Sequence, residues 1–211
     1  MEGISLNVVQ GRLNSYQLPN EFSVWDLDES YGELCRRSRQ GQVEWGGCIV
    51  LKDDLLCVEH LVMGWTDGVD PLDSPADHEH YIGFAHVHLP DDDGIPYFGF
   101  SDRDFRGTLA DGDNLALVCN GDEVFALVRT SDLTQRRRDA NETEFAEWTR
   151  VYGDLIQEAQ REAALKSGVQ IRKKFALNSI LLQANREMCR RLGFALYGGV
   201  WGKPLNLLYR P

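Results

Sequence analysis

The chain has 211 residues, 43% of them apolar and 26% charged, which suits one globular domain, with or without an appendage, and excludes disorder over most of its length. Asp and Glu outnumber Lys and Arg by 33 to 22, and a net charge of −11 argues against a general nucleic-acid binder, which needs cations to neutralise phosphates, while leaving room for a locally basic patch. No apolar run approaches the roughly 20 residues that cross a bilayer, and Met1-Glu2-Gly3-Ile4 lacks the basic start and apolar stretch of a secretion signal, so a cytoplasmic protein with no membrane partner is expected.

Ile4, Leu6 and Val8 alternate with polar residues and predict a first strand, followed by a turn near Pro19-Asn20. A short helix is expected over 29–38. After Gly41, the runs 43–51 and 55–58 flank Asp53-Asp54 and read as a hairpin. Residues 64–80 are rich in Gly, Asp, Pro and Ser without periodicity and predict a surface loop; 81–88 returns to strand character. A second acidic stretch precedes Ser101, a favoured helix N-cap, and the helix it opens should end near Ala110. Strands at 115–119 and 124–128 flank Asn120-Gly121-Asp122, a strong hairpin signal.

Composition shifts again at Arg136-Arg137-Arg138. Asn141 with Glu144 resembles a capping box, and Phe145, Trp148, Tyr152, Leu155, Ile156, Ala159 and Ala163 mark one face of a long amphipathic helix ending before Gly168. Leu177, Ile180, Leu181, Ala184 and Met188 predict a second helix stopped at Gly193, with closing strands at 194–197 and 205–209. The expected organisation is a domain over 1–135 carrying a helical C-terminal extension, 136–211. Cys35, Cys48, Cys57, Cys119 and Cys189 are odd in number and widely spaced within apolar runs, so reduced core residues are expected rather than disulfides or a Cys-rich zinc site.

The five histidines are His60, His78-Glu79-His80 and His86-Val87-His88. Residues two apart on a strand share a face, so His86 and His88 can converge on one metal ion; taken alone, either pair also reads as surface histidines. Asp104 lies one helical turn after Ser101 on the same side and can be a third ligand. Two imidazoles and one carboxylate leave a fourth position open on a tetrahedral zinc ion, the arrangement of a catalytic site. Glu44, inside an apolar run, is costly there unless it has a task, although an edge-strand carboxylate facing solvent gives the same sequence.

Together, Glu44-Trp45-Gly46-Gly47, His86-Val87-His88 and Ser101-Asp102-Arg103-Asp104 resemble, in order, the signature of the JAMM (JAB/MPN) zinc metalloproteases. The resemblance covers roughly residues 29–129. It implies an MPN/JAB-like (cytidine-deaminase-like) α/β fold, a mixed sheet flanked by helices. It further implies zinc on His86, His88 and Asp104, Glu44 as the base that takes a proton from the bound water, and Ser101 as donor to the oxyanion. The chain departs from the family in having Leu89 where a proline usually follows the second histidine, and in a longer connection of twelve residues, 89–100, before Ser101.

The family's common substrates imply a ubiquitin-like or sulfur-carrier-like protein cleaved at its C-terminus by a deubiquitinase-like enzyme, and the Glu-containing strand, hairpin and compact length suit a stand-alone, bacterial-type member beside a conjugation system. Ten Asp or Glu against one Arg between Asp67 and Asp104 suit a basic tail; hydration of long loops would need the same acids. A metal-binding or inactive MPN-type scaffold, or a peptidase for small or cell-wall peptides, are the alternative readings. The sequence is silent on oligomeric state.

Overall fold

A computed structural model of the chain describes residues 3–24, 27–66, 68–69, 80–89, 99–120, 122–131, 146–147, 149–154, 157 and 170–211. Their main elements are α1 (Gly3–Val9), β1 (Glu21–Phe22), α2 (Asp28–Gly41), β2 (Trp45–Lys52), β3 (Leu55–Met63), β4 (Tyr81–Val87), α3 (Asp102–Ala110), β5 (Leu115–Asn120), β6 (Glu123–Arg129), α4 (Gln170–Leu192), β7 (Phe194–Val200) and β8 (Leu205–Tyr209). The strands form one eight-stranded sheet in the order β1-β8-β7-β6-β5-β4-β2-β3. The β4–β5 pair is parallel and the other pairs are antiparallel, so this is a mixed α/β sheet with helices on both faces.

Alternation along the strands sorts the core into two layers. Leu115, Leu117 and Cys119 face Val8 and Val9 of α1 and Tyr31 and Leu34 of α2. Ala116 and Val118 turn to the other side, against Phe105 and Leu109 of α3 and Ala184, Met188 and Leu192 of α4. In β4 the same alternation puts Ala85 and Val87 on the α2 side, which leaves His86 for the side that α3 covers.

The expected hairpins 43–51/55–58 and 115–119/124–128, the helix at 29–38 and the helix from Ser101 to Ala110 are all present. The expected first strand is not: residues 3–9 are α1. Three alternating apolar residues are too few to separate a strand from a helix, and the adjacent pair Val8 and Val9, both fully buried, cannot lie on one face of a strand. Gly11, at φ +63°, closes the helix, with Gly11 N and Arg12 N donating to Val8 O and Asn7 O.

The segment after 135 does more than add helices. β7 pairs with β6 along its whole length, from Glu123↔Val200 to Arg129↔Phe194, and β8 pairs with both β7 and β1, so the sheet continues across the expected boundary. Of the first predicted C-terminal helix, residues 149–154 are helical with Tyr152 buried, whereas Phe145, Trp148, Leu155, Ile156, Ala159 and Ala163 lie outside the described residues. Cys48, Cys119 and Cys189 are buried, Cys35 and Cys57 partly so, and none of the five is in a disulfide. No described helix is long and apolar enough to cross a membrane.

β3 is an edge strand with one interruption. Gly46 pairs with Val62 and Cys48 with Glu59, so two residues of β3, His60 and Leu61, stand opposite the single Gly47. His60 adopts φ +51°, the left-handed conformation that opens such a bulge.

Candidate metal centre

The site forms at the end of the sheet where β4 runs out and β2 begins. His86 sits opposite Gly46 in the β2–β4 ladder, so the residue before β2's first strand position, Glu44, lies at the same end. Glu44 extends the β2–β3 ladder by one step, donating from its N–H to Trp65 O at 2.6 Å and accepting Gly64 N at 2.8 Å. His88 lies one residue beyond β4 and is tied down by its own N–H, which donates to Cys119 O at 2.9 Å. Tyr31 of α2 donates its hydroxyl to His86 O at 3.3 Å. Ser101 caps α3: its Oγ accepts Asp104 N at 3.2 Å while Asp104 Oδ2 accepts Ser101 N at 2.6 Å, a reciprocal capping box.

These elements bring three side chains to one point. His86 Nε2 lies 2.9 Å from His88 Nε2 and 3.1 Å from Asp104 Oδ1, and His88 Nε2 lies 3.4 Å from Asp104 Oδ2. Zinc–ligand bonds of about 2.0–2.1 Å meeting at tetrahedral angles would separate donor atoms by roughly 3.3 Å, so the spacing of the group is compatible with a metal site. Their burial strengthens the point: the His86 and His88 side chains are 7% exposed and that of Asp104 15%, far from the exposed acidic clusters that assemble without a cation. Two imidazole nitrogens 2.9 Å apart can share one proton, and with a carboxylate oxygen beside them they are also donors of the kind that could hold a cation.

The electrostatics follow from that crowding. Burial alone would push the His86 imidazole down, but the Asp104 carboxylate against it and the charge of Glu44 reverse the sign, so its pKa is raised. Burial would likewise raise Asp104, yet His86 and His88 hold it well below the usual carboxylate range. Glu44 is itself 6% exposed, close enough for His86 to feel its charge, and is not one of the three clustered donors.

The structure thus assembles all five residues singled out from the sequence, Glu44, His86, His88, Ser101 and Asp104, at one end of the sheet. It leaves the other histidines outside: His60 and His80 are exposed in the β3 bulge and just before β4, and His78 is outside the described residues. The tyrosine and the main-chain acceptor that fix the two histidines, Tyr31 and Cys119, carried no signal in the spacing, because each acts through a backbone hydrogen bond made across the fold. No protein-family model matches this chain and no curated protein matches it significantly, so the geometry of its own residues is what argues for a function.

Proposed function

We propose that the chain is a zinc-dependent metallopeptidase of MPN/JAB-like fold that cleaves the peptide or isopeptide bond at the C-terminus of a ubiquitin-like or sulfur-carrier-like protein in the cytoplasm. The observation that carries the reading is the convergence of His86, His88 and Asp104 beside the buried carboxylate of Glu44, in the order and on the elements that the JAMM resemblance implies. Zinc bound there would supply Lewis acidity and a water acidified toward neutrality. The Nε2 atoms of His86 and His88 and one oxygen of Asp104 are the groups that would hold it.

Glu44 then has the proton-transfer role. Its carboxylate is buried, outside the ligand set and within electrostatic reach of it, so it can accept a proton from the attacking water and pass it to the departing amine. Ser101 Oγ spends a lone pair on Asp104 N, and that bond does not use its hydroxyl proton, which can be donated to the oxygen on which negative charge develops. Exposed Trp65, whose carbonyl accepts the Glu44 N–H just beyond β3, is an apolar residue next to that group in the ladder.

Incubating the purified protein with linear ubiquitin-like fusions, with and without a zinc chelator and with zinc restored, tests the proposal. Cleavage that the chelator stops and zinc restores is expected. A zinc-loaded protein that cleaves none of the fusions would favour a scaffold reading, and cleavage indifferent to chelation would remove the metal from the mechanism.

A further inference from the structure

The N-terminal edge of α3 is gripped from the far end of the chain. Phe100 directly precedes the Ser101 cap, and both polar groups of its backbone meet one side chain of α4: Phe100 N donates to Asn185 Oδ1 at 2.8 Å, and Asn185 Nδ2 donates to Phe100 O at 3.0 Å. Tyr152 adds its hydroxyl to the same carbonyl at 2.7 Å and accepts Asn185 Nδ2 at 3.4 Å. All three residues are buried, Asn185 at 1% exposure. Gly99 makes room for the amide: at φ +88° it takes a conformation that suits glycine, and a Cβ there would lie 2.7 Å from Asn185 Oδ1.

The peptide joining Phe100 to Ser101 therefore has both ends committed. Its carbonyl is held by Asn185 and Tyr152, and its N–H donates to Asp104 Oδ2 at 2.6 Å. That carboxylate is the one that reaches His86 at 3.1 Å and His88 at 3.4 Å. Donating to the carbonyl of a peptide polarises its N–H, so the two sets of bonds support each other. A helix that needed only to pack could place an apolar residue at 185, between Leu181 and Met188 on its buried face; an asparagine there carries a desolvation cost that these bonds offset.

We propose that Asn185 and Tyr152 are positioning residues for the metal centre: they fix the Phe100–Ser101 peptide, whose N–H aims the Asp104 carboxylate at the two histidines. The inference rests on the metal reading proposed above and gives the C-terminal part of the chain a task in the site. Hydrogen-bond partners behind a ligand typically govern metal affinity by about 10–100-fold.

Titration of the metal-free full chain with Co²⁺, followed through the visible absorption of the bound ion, tests the idea alongside thermal melts. Asn185→Leu, which removes both bonds to Phe100 as well as the one to Tyr152 and keeps an apolar body, should bind Co²⁺ at least about tenfold more weakly than the wild type. Tyr152→Phe, which removes the hydroxyl's bonds to Phe100 O and Asn185 Nδ2 and keeps the ring, should lose about fivefold. Leu192→Ala, a buried truncation about two turns further along α4, should lower the melting temperature and leave Co²⁺ affinity unchanged. Equal weakening in Leu192→Ala and Asn185→Leu would reduce the effect to general destabilisation and overturn the proposal, as would wild-type affinity in Asn185→Leu. Should Asn185→Leu fail to fold, Tyr152→Phe decides: unchanged Co²⁺ affinity in it overturns the proposal. A wild-type protein that takes up no Co²⁺ is a separate result, one that overturns the metal reading itself and the positioning role with it.

Discussion

Asp113 makes the stability of this protein depend on pH in a direction opposite to that of most carboxylates. It lies between α3 and β5, is 2% exposed, and accepts the Tyr81 hydroxyl at 2.7 Å. Burial pushes its carboxyl from 3.8 up to about 7; the Tyr81 hydroxyl and Arg129 pull against the shift while Asp111 adds to it. The native state therefore binds this proton more tightly than the unfolded chain does. The resulting stability is fully present below the unfolded value near 3.8 and is lost as pH rises through about 7. A shift of about three units at about 1.4 kcal/mol each gives a loss of about 4 kcal/mol between pH 4 and pH 8. Asp113→Asn keeps an oxygen for Tyr81 and has nothing to ionise. In urea unfolding at pH 4, 5, 6, 7 and 8, with a chelator present, the difference in unfolding free energy between variant and wild type should grow by about 4 kcal/mol in favour of the variant. Parallel pH profiles for the two proteins would refute the assignment of a buried, protonated Asp113.

Three further outcomes follow from the site and the sheet. Single alanine substitutions of His86, His88 or Asp104 should abolish stoichiometric metal retention as measured by elemental analysis, whereas His60→Ala and His80→Ala should keep it; full metal content in His86→Ala would refute the ligand set. Glu44→Gln should keep the metal and lower turnover of a cleavable ubiquitin-like fusion by about 10²–10⁴-fold, the range for a general base, and near-normal rates would assign proton transfer elsewhere. Truncation after Thr130 should give an aggregating protein in size-exclusion chromatography, because it strips β7 from β6 and α4 from Phe105 and Leu109; a monomeric, metal-binding fragment would show that the core closes without them.

Local features were legible where a short stretch decides them. The Asp53-Asp54 turn, the hairpin signal between 115–119 and 124–128, the Ser101 cap and the two-residue spacing of His86 and His88 each fix a geometry within a few residues, and the structure has the first turn, the paired strands β5 and β6, the cap and the histidine pair. Alternation at residues 4–8 was misleading because burial of both Val8 and Val9 is set by α1 lying on the sheet, not by strand phase. Pairings over long separations left no mark: Phe22↔Leu205 closes the far edge of the sheet, and β7 finds β6 after a long excursion. The same holds for the site. Its three clustered donors were readable, whereas Tyr31, 55 residues from His86, and Asn185, 85 residues from Phe100, act through backbone atoms that any sequence supplies. One clue to Asn185 existed, an amide amid the apolar positions 181, 184 and 188, but nothing nearby names its partner.

The bulge at His60 and Leu61 works as a phase shifter for the edge strand. Side chains on a strand alternate strictly, so one extra residue exchanges the faces of everything after it. Without it, Leu61, Val62 and Met63 would each turn to the opposite side of the sheet, and the backbone partners that Gly64 and Trp65 present to Glu44 would fall out of step. The same kink breaks the outer row of amides and carbonyls of β3, and the opposite border of the sheet is the two-residue β1. Among the described residues neither margin offers a long straight template on which a second copy could add a strand, a feature that works against growth into a fibre.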